Sequence, residues 1–227
     1  MLFISGGGRA KDTIGLDSAF VKHTIMGRIL YIPIGLNRSF IGYEECLDWF
    51  IQTLSVLTKE QLDVEMWVNL KDKDNADLSS FSGIYIGGGK NSYNLMEDFR
   101  NSNFVNNLKS YIERGGHIYG GSTGAIILGS NIAVFGENKP YPTSSEQGLS
   151  LIGKYAVFCH YNVEREIKLS DFYKKHDIPV IALPEDSGVT INNFSLKVIG
   201  SSSVHVFKTF DDKITVHPNS FYNLRTL

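Results

Sequence analysis

Hydrophobic and polar positions change period along this chain, and the changes predict its elements. Leu2 to Ser5 and Arg28 to Ile34 are continuous apolar runs, the pattern of strands buried on both faces of a parallel sheet. Between them, Asp17 to Thr24 reads as a helical crossover. Tyr43, Cys46, Leu47, Phe50, Ile51, Leu54 and Leu57 recur at helical spacing and predict the next helix. Val64 to Val68 and Ser82 to Ile86 follow as strands, the second running into Gly87-Gly88-Gly89. Phe104, Val105, Leu108, Tyr111 and Ile112 mark a helix that Gly115-Gly116 should close. His117-Ile118-Tyr119 is then a short strand, and Ala125 to Leu128 a buried helical segment.

After residue 130 the period shortens. Ala156 to Cys159 reads as a strand, Val163 to Lys175 as a helix and Pro179 to Leu183 as a strand. Val189 to Asn192, Leu196 to Ile199, Val204 to Lys208 and Lys213 to Val216 are short β segments. Turn pairs such as Asn192-Asn193 and Asp211-Asp212 separate them. The expected fold is α/β: a doubly wound, mostly parallel sheet flanked by helices, with β-hairpins in the C-terminal third. No linker or repeat interrupts the pattern, so one domain over residues 1–227 is expected.

Composition narrows the partners. A net charge of −2 lacks the basic excess that a nucleic-acid partner requires. Cys46 and Cys159 are too few for a disulfide scaffold and have no metal-ligand spacing, so buried free thiols are expected. Met1-Leu2-Phe3-Ile4 runs at once into Ser5-Gly6-Gly7-Gly8, and no stretch approaches the ~20 apolar residues of a membrane helix. A cytoplasmic location without membrane contact is the expectation.

The chemistry centres on Gly120-Gly121-Ser122-Thr123-Gly124, between the short strand and the buried helix. A serine in a Gly-x-Ser-x-Gly turn at such a junction is a nucleophile elbow. The amide of Thr123, opening the helix, would face an oxyanion. A serine hydroxyl needs a base to take its proton and a third group to orient that base. Of the histidines at 23, 117, 160, 176, 205 and 217, His160 stands out because it falls at the carboxyl end of a strand. Glu185, just past Leu183-Pro184, and Glu137, in the loop after the elbow helix, are candidate acids; Asp186 is a third. Gly87-Gly88-Gly89 could supply a second oxyanion donor. Gly6-Gly7-Gly8 does not complete Gly-x-Gly-x-x-Gly, because position 11 is lysine, so no dinucleotide site is expected.

These motifs together resemble the aspartyl dipeptidase (peptidase E) family of serine peptidases, which shares its sheet with class I glutamine amidotransferases. The family's Gly-x-Ser-Ala-Gly-Ala elbow stands here as Gly120-Gly121-Ser122-Thr123-Gly124-Ala125. Its Gly-Gly-Asn-Thr-Phe-x-Leu-Leu loop is similar to Gly88-Gly89-Lys90-Asn91-Ser92-Tyr93-Asn94-Leu95-Met96, with one extra residue. Cys159-His160-Tyr161, Leu183-Pro184-Glu185 and Val206-Phe207-Lys208 follow in family order.

The resemblance implies Ser122 as nucleophile, His160 as base and Glu185 as third member, with Glu137 aligned to a second family acid. It places the oxyanion hole at Thr123 and Gly88 or Gly89, and puts Asn91 beside the substrate. It implies a short peptide as substrate and no metal or organic cofactor. Monomer and homodimer both stay open.

Three departures bear on specificity. Thr123 replaces the family's alanine and brings a branched hydroxyl side chain toward the pocket. Lys90 lengthens the oxyanion loop. The segment after His160 is short, leaving Arg165 as the counterpart of an arginine that grips the substrate's N-terminal aspartate in the family; its other reading is a surface residue paired with a neighbouring glutamate. A related amide hydrolase of the cyanophycinase kind and a catalytically inactive binding module are the alternatives. Glutamine amidotransfer is disfavoured because the elbow carries serine, not cysteine.

Overall fold

The structure, a computed structural model, describes residues 1–36, 42–136, 139 and 145–225. In chain order the elements are β1 (Leu2–Ser5), α1 (Ala10–Thr24), β2 (Arg28–Ile32), α2 (Tyr43–Ser55), β3 (Val64–Met66), β4 (Phe81–Ile86), α3 (Ser92–Arg100), α4 (Phe104–Glu113), β5 (Ile118–Gly121), α5 (Thr123–Leu128), β6 (Ala156–Phe158), α6 (Glu166–His176), β7 (Val180–Ala182), β8 (Ser187–Asn192), β9 (Ser195–Gly200), β10 (Val204–Phe207), β11 (Lys213–Val216) and β12 (Phe221–Asn223). The fold is mixed α/β, with a large sheet flanked by helices.

That sheet has the order β12-β9-β8-β1-β5-β4-β2-β3. Its β1-β5-β4-β2-β3 half is parallel, and β8, β9 and β12 extend it antiparallel. β1 is buried along its whole length, as its unbroken apolar run predicts. The C-terminal hairpins divide between two sheets. β8 and β9 join the large one, whereas β10 and β11 pair with β7 and β6 in a separate four-stranded sheet. Both share one apolar core, in which Ile4 and Ile86 belong to the same cluster as Phe158 and Val206.

Some elements differ from the sequence pattern. α1 begins at Ala10, about two turns before Asp17, because Asp12 accepts a hydrogen bond from the Arg9 amide and caps the polar first turn. The predicted Val163–Lys175 helix is a 3-10 turn at Val163–Arg165 followed by α6. α3 was not foreseen; Asn91 nucleates it, its Oδ1 accepting from the Tyr93 and Asn94 amides. The Gly115-Gly116 closure of α4 is as expected, with Gly115 at φ 92° and the Gly116 amide donating to the Tyr111 carbonyl. No helix among the described residues is long and apolar enough to cross a membrane.

Just before β5, His117 packs edge-on against Phe3 and His23. Burial, with like charge nearby, pushes its pKa down to about 4 from the usual 6.5. Between those values the unfolded chain takes up a proton that the folded chain refuses, so stability falls as pH drops from 6.5 and levels off below about 4. The stability of wild type relative to His117→Gln should therefore shrink between pH 7 and pH 4.5, read from urea midpoints. A difference that does not move with pH would contradict this.

Candidate active site

Strand registers bring the site together. Ser5 lies opposite Gly121, Ile86 opposite Gly120 and Ile32 opposite Ile86. The carboxyl ends of β1, β5, β4 and β2 therefore share one edge, the expected binding edge of a parallel sheet. In the small sheet Phe158 lies opposite Ala182, so Cys159-His160 and Leu183-Pro184-Glu185 leave β6 and β7 side by side. A hydrogen bond joins the sheets here: the His160 amide donates to the carbonyl of Gly6, just past β1, at 2.9 Å, while the Gly6 amide donates to the Ser187 carbonyl of β8 within the large sheet at 3.0 Å.

Ser122 sits on the turn between β5 and α5 with φ 49° and ψ −113°. Such a left-handed conformation costs a non-glycine residue ~1–3 kcal/mol and is held by its surroundings. Flanking glycines permit it. A Cβ on Gly124 would lie 2.9 Å from the Gly87 carbonyl oxygen and closer still to that of Ile86, so α5 can pack on β4 only without one. His160 is also left-handed, at φ 54°.

The turns place three side chains in a row. Ser122 Oγ lies 2.8 Å from His160 Nε2, and His160 Nδ1 lies 2.8 Å from Glu185 Oε1. With the carboxylate accepting from Nδ1–H, Nε2 is left to accept the serine proton. The His160 side chain is 22% exposed and that of Glu185 61%. Glu185 is thus an exposed acid whose hold on the ring is screened by water.

The other sequence candidates lie elsewhere. Asp186 accepts a hydrogen bond from Ser202 Oγ at 2.8 Å, on the side of the β9–β10 connection. Glu137 lies outside the described residues. His205 contacts Thr215, His176 stacks on Phe172 beside Glu146, His217 contacts Ser203, and His23 bonds the Ala19 carbonyl. Both cysteines are free and buried; Cys159 lies beneath the elbow, its thiol donating to the carbonyls of Ser5 and Ser122, and burial pushes that thiol well up.

Gly88 adjoins the nucleophile: a Cβ there would lie 3.3 Å from Ser122 Cβ. The amides of Gly88, Gly89 and Thr123 have no hydrogen-bond acceptor among the described residues, which leaves three donors beside the hydroxyl. The Thr123 side chain turns away from the expected course. Its Oγ1 donates to the Gly89 carbonyl at 2.6 Å, so this hydroxyl ties the glycine loop to the elbow. Lys90 is accommodated by its amide donating to the Gly35 carbonyl. Asn91, expected beside a substrate, spends its carbonyl oxygen on capping α3.

Arg165 has no salt bridge to a glutamate among the described residues. Its guanidinium lies over the Phe135 ring at 5.7 Å, its NH1 is buried without a hydrogen-bond partner there, and Phe135 packs edge-on to His160 at 6.0 Å.

The model of Peptidase family S51 matches residues 1–199. The chain belongs to peptidase family S51. A Peptidase E of Nostoc sp. is 24% identical over 161 residues, covering 67% of this chain and 66% of that protein. A Peptidase E of Actinobacillus pleuropneumoniae serotype 3 is 22% identical and covers 98% of both chains. Among solved structures, a peptidase from an acI-B1 Actinobacterium matches with a TM-score of 0.74 at 15% identity, covering 98% of this chain and 96% of that one. At that identity the likeness is one of fold.

Within this S51 site, three contributions escaped the sequence reading. Gly6-Gly7-Gly8 carries the imidazole: a Cβ on Gly7, at φ 96°, would meet His160 Cε1 at 2.6 Å. The signal was present as three consecutive glycines at a strand end, but the residue they face is more than 150 positions away. Phe135 and Lys168 were also missed. The Lys168 ammonium lies 5.2 Å from the Phe135 ring, over which Arg165 also lies. Nothing in a lone phenylalanine announced that two cations share it.

Proposed function

We propose that this peptidase is a serine-type exopeptidase that cleaves short peptides through an acyl-enzyme, with Ser122, His160 and Glu185 as its triad. The observation that carries the reading is the unbroken hydrogen-bonded row from Ser122 Oγ through the His160 ring to Glu185, at 2.8 Å for each link. His160 Nε2 takes the Ser122 proton as Oγ attacks the scissile carbonyl. The developing oxyanion is met by the amides of Thr123 and Gly88, which have no acceptor to give up among the described residues. His160 then returns the proton to the leaving amine as the C–N bond breaks. A water, deprotonated in turn by His160, attacks the ester and frees Ser122.

An N-terminal aspartate is the preferred residue on the Phe135 side. Arg165 has a guanidinium nitrogen there with no hydrogen-bond partner among the described residues, and Lys168 adds a second cation over the same ring. A carboxylate arriving between them gains a charge-assisted hydrogen bond. The test is kcat/KM on Asp-Xaa and Ala-Xaa dipeptides with wild type and Arg165→Ala. Loss of one charge-assisted contact should lower the Asp-Xaa value by roughly 10-fold to 100-fold and leave the Ala-Xaa value within a few-fold. Equal losses on both substrates would mean that Arg165 supports the fold and selects nothing.

A further inference from the structure

A cavity of about 900 Å³ opens beside Ser122 on the face of the sheet opposite α3, between α1 and α2. It falls in the upper part of the ~300–1,000 Å³ range of small-ligand pockets. One end is bounded by Ser122 and the glycine loop at 87–89, and the other by Cys46 and Trp49 of α2. Its floor is aromatic: Tyr85 and Tyr119 stack at 4.2 Å, and Tyr31 stacks on Phe50 at 4.2 Å and meets Tyr85 edge-on. Burial holds all three phenols well above their usual range, so they remain neutral. Trp49, 48% exposed, stands at the mouth.

We propose that this cavity is a side-chain subsite for a bulky apolar or aromatic residue flanking the scissile bond. The inference rests on the peptidase reading above and extends it to a second determinant of specificity. An aspartate side chain would leave most of 900 Å³ unfilled. The charged side chains of its lining, Glu45 and Lys90, are of opposite sign and so do not select an acid. Asp17 Oδ2 accepts from Thr13 Oγ1 at 2.7 Å, and burial pushes this carboxyl above its usual pKa, an effect that contacts with Tyr119 and Thr13 offset only in part. For an arriving cation the carboxylate within reach is the exposed one of Glu45. Asp17 is 2% exposed behind Thr13, and Glu45 Oε2 already accepts from the Gly42 amide at 2.9 Å. An apolar body lying along the tyrosines and against Cys46 and Leu36 is the occupant that this lining suits.

The experiment uses dipeptides with Phe, Trp, Leu, Arg, Asp or Ala at one position and Ala at the other, in both orders. In one of the two orders, kcat/KM for Phe, Trp and Leu should exceed that for Ala by roughly 10-fold to 100-fold. Filling the cavity with Cys46→Phe should bring that ratio down toward one. A second readout does not need catalysis. In Ser122→Ala protein the same Phe peptide should change the tryptophan fluorescence, and the change should vanish when Trp49→Phe is added. Binding without Ser122-dependent hydrolysis would uphold the subsite and reject the peptidase chemistry. Hydrolysis with Phe and Ala peptides within threefold, Arg preferred over Phe, or fluorescence that ignores the peptide would overturn the subsite while leaving the chemistry standing.

Discussion

Ser122→Ala is expected to lower kcat by roughly 10⁴-fold to 10⁶-fold with the far-UV signal and urea midpoint retained, because among the described residues no other hydroxyl bonds His160 Nε2. His160→Ala should fall in the same range, and the double variant should be little worse than either single one. Parts of one proton-transfer unit are not additive. Glu185→Gln should cost less, roughly 10-fold to 10³-fold, below the ~10⁴ of a fully buried acid, because its side chain is 61% exposed. Steady-state kinetics on an Asp-Xaa dipeptide reads all four. If Glu185→Gln kept the wild-type rate while Glu137→Gln abolished it, the role of the acid would move to position 137.

Gly7→Ala is the second large effect, and it acts without replacing any residue of the triad. At φ 96° an alanine is strained, and its Cβ would meet His160 Cε1 at 2.6 Å and Nε2 at 2.7 Å. The imidazole is the softer partner and must give way. A displacement of about 1 Å from the serine should lower kcat about 100-fold. The strained backbone should also cost ~1–2 kcal/mol of stability. Kinetics together with a denaturation curve separates the two effects. Wild-type kcat in a folded Gly7→Ala protein would show that the imidazole does not depend on the β1 loop for its position.

Much of this arrangement could be read from residue order, for reasons visible in particular segments. β1 and β4 were legible because a strand buried on both faces must be apolar at every position, and Leu2 to Ile4 and Ile84 to Ile86 are. Ser122 was legible because the elbow needs small residues at fixed offsets, and His160 because it ends an apolar run. The resemblance to a known family then ordered these pieces. α3 was lost for a local reason: Asn91, Ser92 and Asn94 make its start polar, and they follow the glycine loop directly, so the segment reads as more loop. Strand partners were lost for a long-range reason. β8–β9 and β10–β11 have the same alternation, and nothing within either hairpin says that β8 pairs with β1 while β10 pairs with β7. Consequently the sequence did not reveal that the serine and the histidine come from different sheets, joined through Gly6.

The most direct test is a fluorophosphonate probe followed by peptide mapping of the labelled residue. One adduct is expected, on Ser122, in the folded wild-type protein; Ser122→Ala should take up none, and labelling of His160→Ala should be slowed by several orders of magnitude. A folded protein that takes no probe, or takes it at a different residue, would contradict an activated hydroxyl at the junction of β5 and α5.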